Sequence, residues 1–534
     1  MLLPAKFTIP NALLILFFPL YTFCNQFNIF TVCTADNRIL SDLYVVCNKG
    51  ACYNCTFSLP LILFLLSLPL SAHTIEGRVM AEGKPQRDVV VTDGQNFAYT
   101  DANGHYSIDA PDDARFVYLL TPKGYVCNYA SGIPQFYQQL KSGQSRYNFE
   151  LLPMKGDADK TLVIAGADTQ LDTDHDRKRL FDETVPDMKQ LLNEAGNRQK
   201  AMFVAGDLTW DVYGRNADVK QFAQQVGVPC YPVIGNHDFD KYAAPSDTTC
   251  YAAPYEASFG PTYYAFMLGD ACYVVLNDIK YAGNKRYTLS LRQGHQMEWL
   301  KKLLGVVLQQ NTNVFVVMHA PLKIPGTDKM TDGGEELKAM LLGKPFNAAV
   351  FSGHLHTNNN TYLADGLWEH NMGAICGYFW ETNVSGDGTP NGYHVIETDK
   401  RKWQQRYKAT GMPIDKQMKV FLPGTVADRP DALCCKVWNW DSRWTITWQE
   451  DGKEMGAMSQ FHSFDPDYLR WLNGRLATAD YTPRRTDHFF SCNPSPNAHT
   501  ITITAQDPYG NVYKETVVHC SDINTTPTRT FAPQ

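Results

Sequence analysis

Apolar, strand-like runs alternate with helix-like segments through the middle of this 534-residue chain, and that alternation restricts its fold more than any other feature. The runs TLVIAGA, AMFVAGD and VPCYPVIGNHD follow one another, with the amphipathic stretch VPDMKQLLNEAG between the first two. Strands that alternate with helices form α/β domains, in which ligands bind beyond the carboxyl ends of the strands. We therefore expect an α/β domain whose functional residues follow its strands.

The length of the chain indicates more than one domain, because single cores stop growing at roughly 250 to 300 residues. Short alternating runs between Asp-Gly and Asn-Gly turns predict a small antiparallel β-sandwich at residues 73–155. Similar alternation predicts a second β-sandwich at residues 400–534. The α/β domain between them is predicted at residues 158–398.

Residues 1–72 have a different composition, with apolar runs at residues 12–23 and 57–72. Both runs are short and interrupted by proline, whereas a membrane-spanning helix needs about 20 apolar residues. The second run has the character of a secretory signal that ends before His73, so we expect a start site assigned too far upstream and a periplasmic or secreted protein. A membrane-anchoring hairpin is the alternative.

The net charge of −7 is modest for this length, and no long run of Lys or Arg indicates a nucleic-acid or polybasic membrane surface. Nine of the 14 cysteines follow residue 72, and an odd number leaves at least one unpaired thiol in a monomer. Cys230 and Cys250 flank the GNHD stretch and are a possible disulfide pair, while Cys434 and Cys435 are expected to be buried. Neither spacing resembles a zinc cage.

Residue types that bind metal ions follow five predicted strands. The segments GADTQ, AGDLTWD, IGNHD, MHAP and SGHLH contain Asp168, Gln170, Asp207, Asn236, His237, Asp238, His319, His354 and His356. Each segment alone is a weak signal, because Gly-Asp is common and a single strand histidine is more often a core residue. Together they suit two divalent ions about 3.5 to 4 Å apart, which need an aspartate bridge and neutral imidazole or amide ligands. We assign Asp207 as the bridge.

This ordered set resembles the calcineurin-like metallophosphoesterases, whose pattern is Asp-x-His, Gly-Asp, Gly-Asn-His-Asp/Glu, His and Gly-His-x-His. The resemblance implies a four-layer α/β/β/α domain that binds two divalent ions such as Mn, Fe or Zn. It implies one ion held by Asp168, Gln170, Asp207 and His356, and the other by Asp207, Asn236, His319 and His354. It also implies that His237, with Asp238 behind it, contacts the substrate phosphate. The phrases FGPTYYAF, GDGTPNGYHV and VWNWDSRW resemble secreted bacterial members with an N-terminal and a C-terminal β-sandwich.

Gln170 departs from the family pattern, which has histidine at this position. An amide oxygen is a weaker donor than imidazole to a transition metal, and it releases no proton on binding. We therefore expect a softer first site that is loosely occupied or shifted toward harder ions such as Mn or Mg. Every other ligand is present, and some branches of the superfamily look similar in carrying Asp-x-Gln, so the substitution does not indicate an inactive protein.

These observations predict an exported metal-dependent phosphoesterase, in which a hydroxide activated by two metals attacks the phosphate ester and His237 protonates or stabilises the leaving oxygen. Monoester and diester substrates both remain open. The expected partner is a small phosphate ester, without a nucleic acid or a stable membrane partner after signal removal. The alternatives from other classes are a glycan- or surface-binding protein with a vestigial phosphoesterase domain and a membrane-anchored scaffold.

The segment at residues 373–393 is expected to form a rim beside the metals. Its aromatic residues Tyr378, Phe379 and Trp380 suit either a role in holding the leaving group of the substrate or packing between domains, and the sequence does not favour one of these. His370 and Asn371 are weaker candidates for the site.

Overall fold

The computed structural model describes residues 72–243, 251–309, 312–473, 475 and 481–518, together with four short strands nearer the N-terminus. The chain divides into two compact units, Met1–Ala72 and His73–Gln534. The expected signal segment up to residue 71 and Cys250, the expected partner of Cys230, lie outside the described residues. In the described parts of the chain, no helix combines the length and the apolar character needed to cross a membrane.

The first unit contains one antiparallel sheet whose strands are adjacent in chain order. Its strands are β1 (Leu14–Phe17), β2 (Phe27–Cys33), β3 (Asp42–Cys47) and β4 (Cys52–Thr56).

The second unit begins with two sheets, in the order β12-β10-β7-β8 and β11-β13-β5-β6, with β9 also paired to β5. The strands are β5 (Ala72–Ala81), β6 (Lys84–Pro85), β7 (Val90–Thr92), β8 (Phe97–Tyr99), β9 (His105–Pro111), β10 (Phe116–Leu120), β11 (Tyr125–Cys127), β12 (Tyr137–Gln139) and β13 (Phe149–Pro153). The pair β5 and β13 is parallel, whereas the sequence predicted an antiparallel domain. Buried residues of both sheets, among them Val79 and Leu119, join one hydrophobic core.

The central part of the chain forms two larger sheets and a two-stranded ribbon, β19-β20. Its strands are β14 (Asp157–Gly166), β15 (Arg198–Ala205), β16 (Cys230–Val233), β17 (Tyr264–Leu268), β18 (Ala271–Val275), β19 (Ile279–Tyr281), β20 (Tyr287–Leu289), β21 (Asn313–Val317), β22 (Ala348–Ser352), β23 (Asn359–Ala364), β24 (Leu367–Asn371), β25 (Gly392–Asp399) and β26 (Lys402–Ala409). Its helices are α1 (Asp174–Arg179), α2 (Val185–Glu194), α3 (Asn216–Val226), α4 (Ala253–Phe259), α5 (Gln296–Gln309) and α6 (Gly334–Leu341).

These elements form the four layers that the sequence predicted. The first sheet has the order β16-β15-β14-β25-β26 and the second β17-β18-β21-β22-β24-β23. Successive side chains of β15 point to opposite faces: Met202 joins the cluster that contains α2 and α3, while the ring of Phe203 lies 6.3 Å from that of Tyr273 on the second sheet. Trp299 of α5 and Leu337 of α6 belong to the same core as the second sheet. The predicted α/β/β/α arrangement is therefore confirmed.

Strand β26 belongs to the central sheet, where it pairs with β25 from Gly392↔Ala409 to Asp399↔Lys402. The sequence predicted that the C-terminal sandwich begins at residue 400. The alternating pattern of β26 resembles that of a sandwich strand, and only the pairing reveals which sheet it joins.

The C-terminal part has two antiparallel sheets, in the order β27-β28-β32-β31 and β30-β29-β33-β34. The elements are β27 (Met418–Phe421), β28 (Leu433–Val437), β29 (Thr445–Glu450), β30 (Lys453–Ala457), β31 (Ser459–Ser463), α7 (Pro466–Leu472), β32 (Thr486–Cys492), β33 (Thr500–Gln506) and β34 (Val512–Val518). Cys435 and Trp448, from different sheets, share one buried cluster, as in a β-sandwich. Seven cysteines of the second unit are free and buried: Cys127, Cys230, Cys272, Cys376, Cys434, Cys435 and Cys492.

Candidate metal centre

The expected site residues follow the carboxyl ends of strands in both central sheets. In the first sheet, Asp168, Asp207 and Asn236 come two or three residues after the ends of β14, β15 and β16, which are parallel to one another. In the second sheet, His319 follows β21, and His354 and His356 follow its parallel neighbour β22. Parallel strands end at the same edge of a sheet, so this topology brings residues distant in sequence together.

His319 lies at the centre of a cluster of potential ligand atoms. Its Nε2 is 3.2 Å from Oδ1 of Asp207, 3.0 Å from Oδ1 of Asn236 and 3.1 Å from Nδ1 of His354. The ligand atoms of Asp207, His319 and His354 all lie within 4.8 Å of one another. The Nδ1 of His319 is 2.8 Å from the carbonyl oxygen of Ala205, to which it donates, so its Nε2 is left as the ligand atom.

Asp168, Gln170 and His356 lie on the other side of Asp207. Nε2 of His356 is 3.7 Å from Oδ1 of Asp168, and its Nδ1 is 2.9 Å from the carbonyl oxygen of Gly377. The amide nitrogen of Gln170 donates to Oδ2 of Asp207 at 3.2 Å, while its oxygen is buried and has no hydrogen-bond partner. An unpaired buried amide oxygen costs free energy unless another group, such as a cation, binds it.

The backbone at these residues is unusual, because five of them have positive φ angles. The values are 55° for Asp168, 40° for Gln170, 48° for Asp207, 71° for His354 and 49° for His356. Residues other than glycine rarely adopt this left-handed conformation, and it costs of the order of 1 to 3 kcal/mol at each position. Such strain is typical of functional sites, where the fold holds side chains in a required geometry.

Two glycines allow the strand ends to approach one another. A Cβ atom at Gly206 would lie 2.3 Å from Nδ1 of His319, and one at Gly353 would lie 2.6 Å from Oδ2 of Asp168. Any side chain at either position would therefore displace a candidate ligand.

The donor set fits two divalent ions. Ligand atoms about 3 Å apart are expected around an ion that binds each of them at about 2.1 Å, which matches the spacing around His319. The unpaired oxygen of Gln170 and the carboxylate of Asp168 offer oxygen ligands on the other side of Asp207, and every one of these side chains except His354 is largely buried. The residues therefore divide into an imidazole half, formed by Asn236, His319 and His354, and an amide half, formed by Asp168, Gln170 and His356, with Asp207 between them.

Burial and neighbouring charges control protonation in the centre. Burial lowers the pKa of His354, beside His319, to about 3 and that of His356 to about 4, so both rings are neutral at pH 7. Burial acts in the same direction on His319, but Asp207 raises the pKa of His319 to about 10. A histidine must be neutral to bind a metal, so ion binding at His319 displaces a proton. Burial also raises the pKa of Asp168 to about 8.

His237 is beside the centre and has a partner that the sequence did not predict. Its Nδ1 lies 3.1 Å from Oδ1 of Asp211, and its backbone N–H donates to Oδ1 of Asp207 at 2.9 Å. Burial acts to lower the pKa of His237, but Asp207 and Asp211 raise it. Nζ of Lys241 lies 3.1 Å from the other carboxylate oxygen of Asp211.

Asp238 was expected behind His237, but its carboxylate instead accepts hydrogen bonds from backbone N–H groups. The donors are Gly235 at 2.8 Å, Leu208 at 3.0 Å and Thr209 at 3.3 Å. Asp238 therefore ties the loop after β16 to the loop that carries Asp207. Asp211, the last residue of the segment AGDLTWD, occupies the place against the imidazole; its position four residues after Asp207 was the available signal in the sequence.

Three family profiles match consecutive parts of the chain. They are "N terminal of Calcineurin-like phosphoesterase" at residues 73–154, "Calcineurin-like phosphoesterase" at residues 164–358 and "C terminal of Calcineurin-like phosphoesterase" at residues 369–513. The chain belongs to the calcineurin-like phosphoesterases. Membership of the calcineurin-like phosphoesterases confirms the predicted family and implies a hydrolase with two divalent ions, for which the cluster around Asp207 supplies ligands.

Two solved structures resemble part of this calcineurin-like phosphoesterase. A dimetal phosphatase from Danio rerio has 14% identity and a TM-score of 0.32, over 46% of this chain and 98% of the other. A 5′-nucleotidase from Candida albicans SC5314 has 11% identity and a TM-score of 0.30, over 46% of this chain and 51% of the other. These scores are too low to support any inference about this chain. No curated protein matches it.

Proposed function

We propose that this protein is an exported enzyme that hydrolyses small phosphate esters at the centre around Asp207. The observation that carries the proposal is the set of ligand atoms at about 3 Å spacing around Nε2 of His319, beside the unpaired oxygen of Gln170. Such a set suits two divalent metal ions that are bridged by a carboxylate.

The amide half and Asp207 would hold one ion, and the imidazole half and Asp207 the other. When bound, two divalent ions lower the pKa of an attacking water and neutralise charge on the phosphoryl oxygens. Imidazole ligands suit Zn, Fe or Mn, whereas the oxygen of Gln170 suits the harder Mn or Mg.

Hydrogen bonds with backbone groups orient the ligands of the centre. Nδ1 of His319 donates to Ala205, Nδ1 of His356 donates to Gly377, and the backbone N–H of His354 donates to Oδ2 of Asp168 at 2.9 Å. The first two bonds fix the tautomer of the neutral rings, so Nε2 of His356 faces the centre without a proton, and Nε2 of His319 does so once ion binding displaces its proton.

His237 is placed to supply a proton to the leaving oxygen. Asp211 accepts from its Nδ1, which leaves the proton on Nε2 for transfer, and the raised pKa of His237 favours the protonated ring. Lys241 holds the second oxygen of Asp211 and so fixes the carboxylate against the imidazole. The proposed step moves one proton from Nε2 to the departing alcohol.

The test is turnover of para-nitrophenyl phosphate and of bis-para-nitrophenyl phosphate by the full chain, with and without added Mn. We expect hydrolysis that a chelator abolishes and that Mn restores, and the ratio of the two rates assigns monoester or diester preference. Two bound ions without turnover of either ester would contradict the proposal and favour a binding protein with a vestigial centre.

Export is supported by the apolar run before His73 and by the start of the second compact unit at that residue. Mass spectrometry of the protein isolated from its native cells would identify the mature N-terminus, which we expect near His73. An isolated chain that retains residues 13–23 would contradict export by this signal.

A further inference from the structure

Three partly exposed aromatic rings from distant parts of the chain meet beside the metal centre. The ring of Phe379 lies 4.6 Å from that of Trp210 and 6.1 Å from that of Tyr481. All three side chains are only partly buried. Trp210 follows β15, Phe379 is on the rim segment and Tyr481 belongs to the C-terminal domain, so three regions build this aromatic wall, as we name the three residues together.

The wall differs from the aromatic packing next to it. Tyr378 and Trp380, the neighbours of Phe379, retain only 3% and 1% of their exposure, and the indole of Trp380 donates to the carbonyl oxygen of Thr169. These two residues pack in the core. Of the two roles that the sequence left open for them, packing therefore applies, and contact with the leaving group does not. Phe379 stays partly exposed although its φ of 55° is a strained conformation for a bulky residue.

The wall contacts both parts of the chemical site. The ring of Trp210 lies 4.9 Å from that of His237, at an interplanar angle of 31°. The ring of Phe379 lies 4.7 Å from that of His356, at an angle of 38°. A group bonded to the oxygen that His237 protonates would therefore lie against these rings.

Two cations beside the wall, Lys241 and Arg179, already have partners, whereas the side chain of Arg484, three residues after Tyr481, is exposed. Lys241 is held by Asp211, and Arg179 makes two 2.8 Å hydrogen bonds to Glu183 besides its contacts with Asn383 and the Trp380 carbonyl. A leaving group with further phosphates needs cations, whereas aromatic faces favour a planar ring. The aromatic faces of the wall thus favour a planar leaving group.

We propose that the aromatic wall is a leaving-group subsite and that the substrates are phosphate esters whose alcohol carries a planar aromatic ring. This inference rests on the proposed function. In the reaction the oxygen of water bonds to phosphorus, the ester P–O bond breaks, and the alcohol leaves with the proton from His237. Simple aryl groups and nucleobases share the required chemistry.

The first test compares three esters with similar alkyl leaving groups on the metal-loaded full chain: 2-phenylethyl, 2-cyclohexylethyl and ethyl phosphate. We expect kcat/KM for the phenyl ester to exceed that for the cyclohexyl ester by about tenfold, because only a planar ring stacks on the wall. Adenosine 5′-monophosphate and ribose 5-phosphate form a second pair, which distinguishes a nucleobase from a simple aryl group.

Equal or reversed values in both pairs would overturn the subsite. Hydrolysis of none of the esters, ethyl phosphate included, would instead contradict the proposed function, so the two failures are distinguishable.

The second test measures the phenyl-to-cyclohexyl ratio in Trp210→Leu and Phe379→Leu, which replace a planar side chain by an apolar one. We expect the ratio to fall toward one in both variants, and less in Tyr481→Leu because Tyr481 contacts Phe379 at the edge of the wall. Tyr99→Leu, which removes a ring that is 50% exposed on the N-terminal sandwich, is the control.

The ratio is the readout because a general loss of catalysis lowers the rates for all esters together. A fall in every rate with an unchanged ratio in Trp210→Leu and Phe379→Leu would show that the rings only support the centre, and would overturn the subsite.

Discussion

The imidazole half and the amide half of the centre share Asp207 but hold their ligand atoms differently. In the imidazole half, Nε2 of His319 is surrounded at 3.0 to 3.2 Å by atoms of Asn236, His354 and Asp207. In the amide half, Nε2 of His356 is 3.7 Å from Asp168, and the oxygen of Gln170 has no partner.

This difference indicates that the two halves bind their ions with different strength and selectivity. The imidazole half has converging nitrogen ligands, so we expect it to bind its ion tightly. The amide half offers mainly oxygen ligands, so its occupancy depends on which ion is supplied. Substitutions in each half should therefore have separable effects on metal content.

The largest effect is expected from Asp207→Asn, since Asp207 serves both halves. Loss of its charge should release both ions and lower turnover of para-nitrophenyl phosphate by on the order of a thousandfold. Metal content per chain, measured by elemental analysis, checks the first part. Asp365→Asn, at an exposed turn, is the control, and two retained ions in Asp207→Asn would disprove the bridge.

His237→Ala should separate chemistry from metal binding. Because His237 is assigned to the substrate and not to either ion, the variant should keep both ions and lose roughly a hundredfold or more in kcat. Asp211→Asn should show a smaller loss, since the imidazole remains but loses its charged partner. Loss of metal from His237→Ala would make His237 a ligand.

Substitutions at Gln170 should change the amide half alone. Gln170→His should tighten its ion and make the affinity depend on pH, because imidazole is the stronger donor but must lose its proton. Gln170→Ala should weaken the same ion by about tenfold and leave the imidazole half filled. Titration with Mn near pH 6 and pH 8 measures both changes.

Gln199 provides a matched control for these variants, since it is another buried glutamine whose amide oxygen has no partner. Gln199→Ala and Gln199→His should leave metal affinity unchanged. Identical titrations for wild type and both Gln170 variants would show that Gln170 is not a ligand.

The smallest effect is expected from Glu369→Gln, which acts on the loops of the imidazole half. The Glu369 carboxylate accepts from the backbone N–H groups of Leu322 at 2.6 Å and Lys323 at 3.0 Å and from the hydroxyl of Ser352 at 2.8 Å. An amide replaces one acceptor by a donor, so the metal-free protein should lose about 1 to 3 kcal/mol of stability. Metal affinity and turnover should fall only severalfold.

The pH dependence of that loss has a defined sign. Burial raises the pKa of Glu369 from 4.5 to about 7 in the folded protein. The folded state therefore retains a proton that the unfolded state loses, and the contribution of Glu369 to stability decreases as pH rises from about 4.5 to about 7. Urea unfolding across this range should show the advantage of wild type over Glu369→Gln decreasing, and an increase would contradict the assignment.

The sequence predicted the fold class and the order of candidate ligands because both depend on local patterns. Short motifs at strand ends identify Asp207 or His319 once parallel strands are assumed. The partner of His237 depends instead on the path of one loop, which turns at Asp211 with a φ of 59°. Motif adjacency favoured Asp238, whose carboxylate the fold directs toward backbone N–H groups.

Two further features required long-range pairing that no local pattern reveals. The alternation of β26 is compatible with either neighbouring domain, and its hydrogen bonds to β25 place it in the central sheet. The rim aromatic residues are consecutive in sequence, yet Tyr378 and Trp380 are buried while Phe379 is not. The exposure of each ring depends on the direction in which its side chain leaves the turn, whose backbone has positive φ angles at Phe379 and Trp380.

The hairpin formed by β25 and β26 has a consequence for how proteins with this domain order diversify by recombination. β14 begins at Asp157, at the end of the strands that is remote from the ligands. β26 ends at Ala409, paired with Gly392, at the end of the strands where the ligands lie. An exchange of the N-terminal domain therefore joins the new domain to the catalytic domain far from the metal centre. An exchange of the C-terminal domain joins the new domain to the catalytic domain beside the metal centre. One recombination event at this point can therefore change the substrate preference of the enzyme.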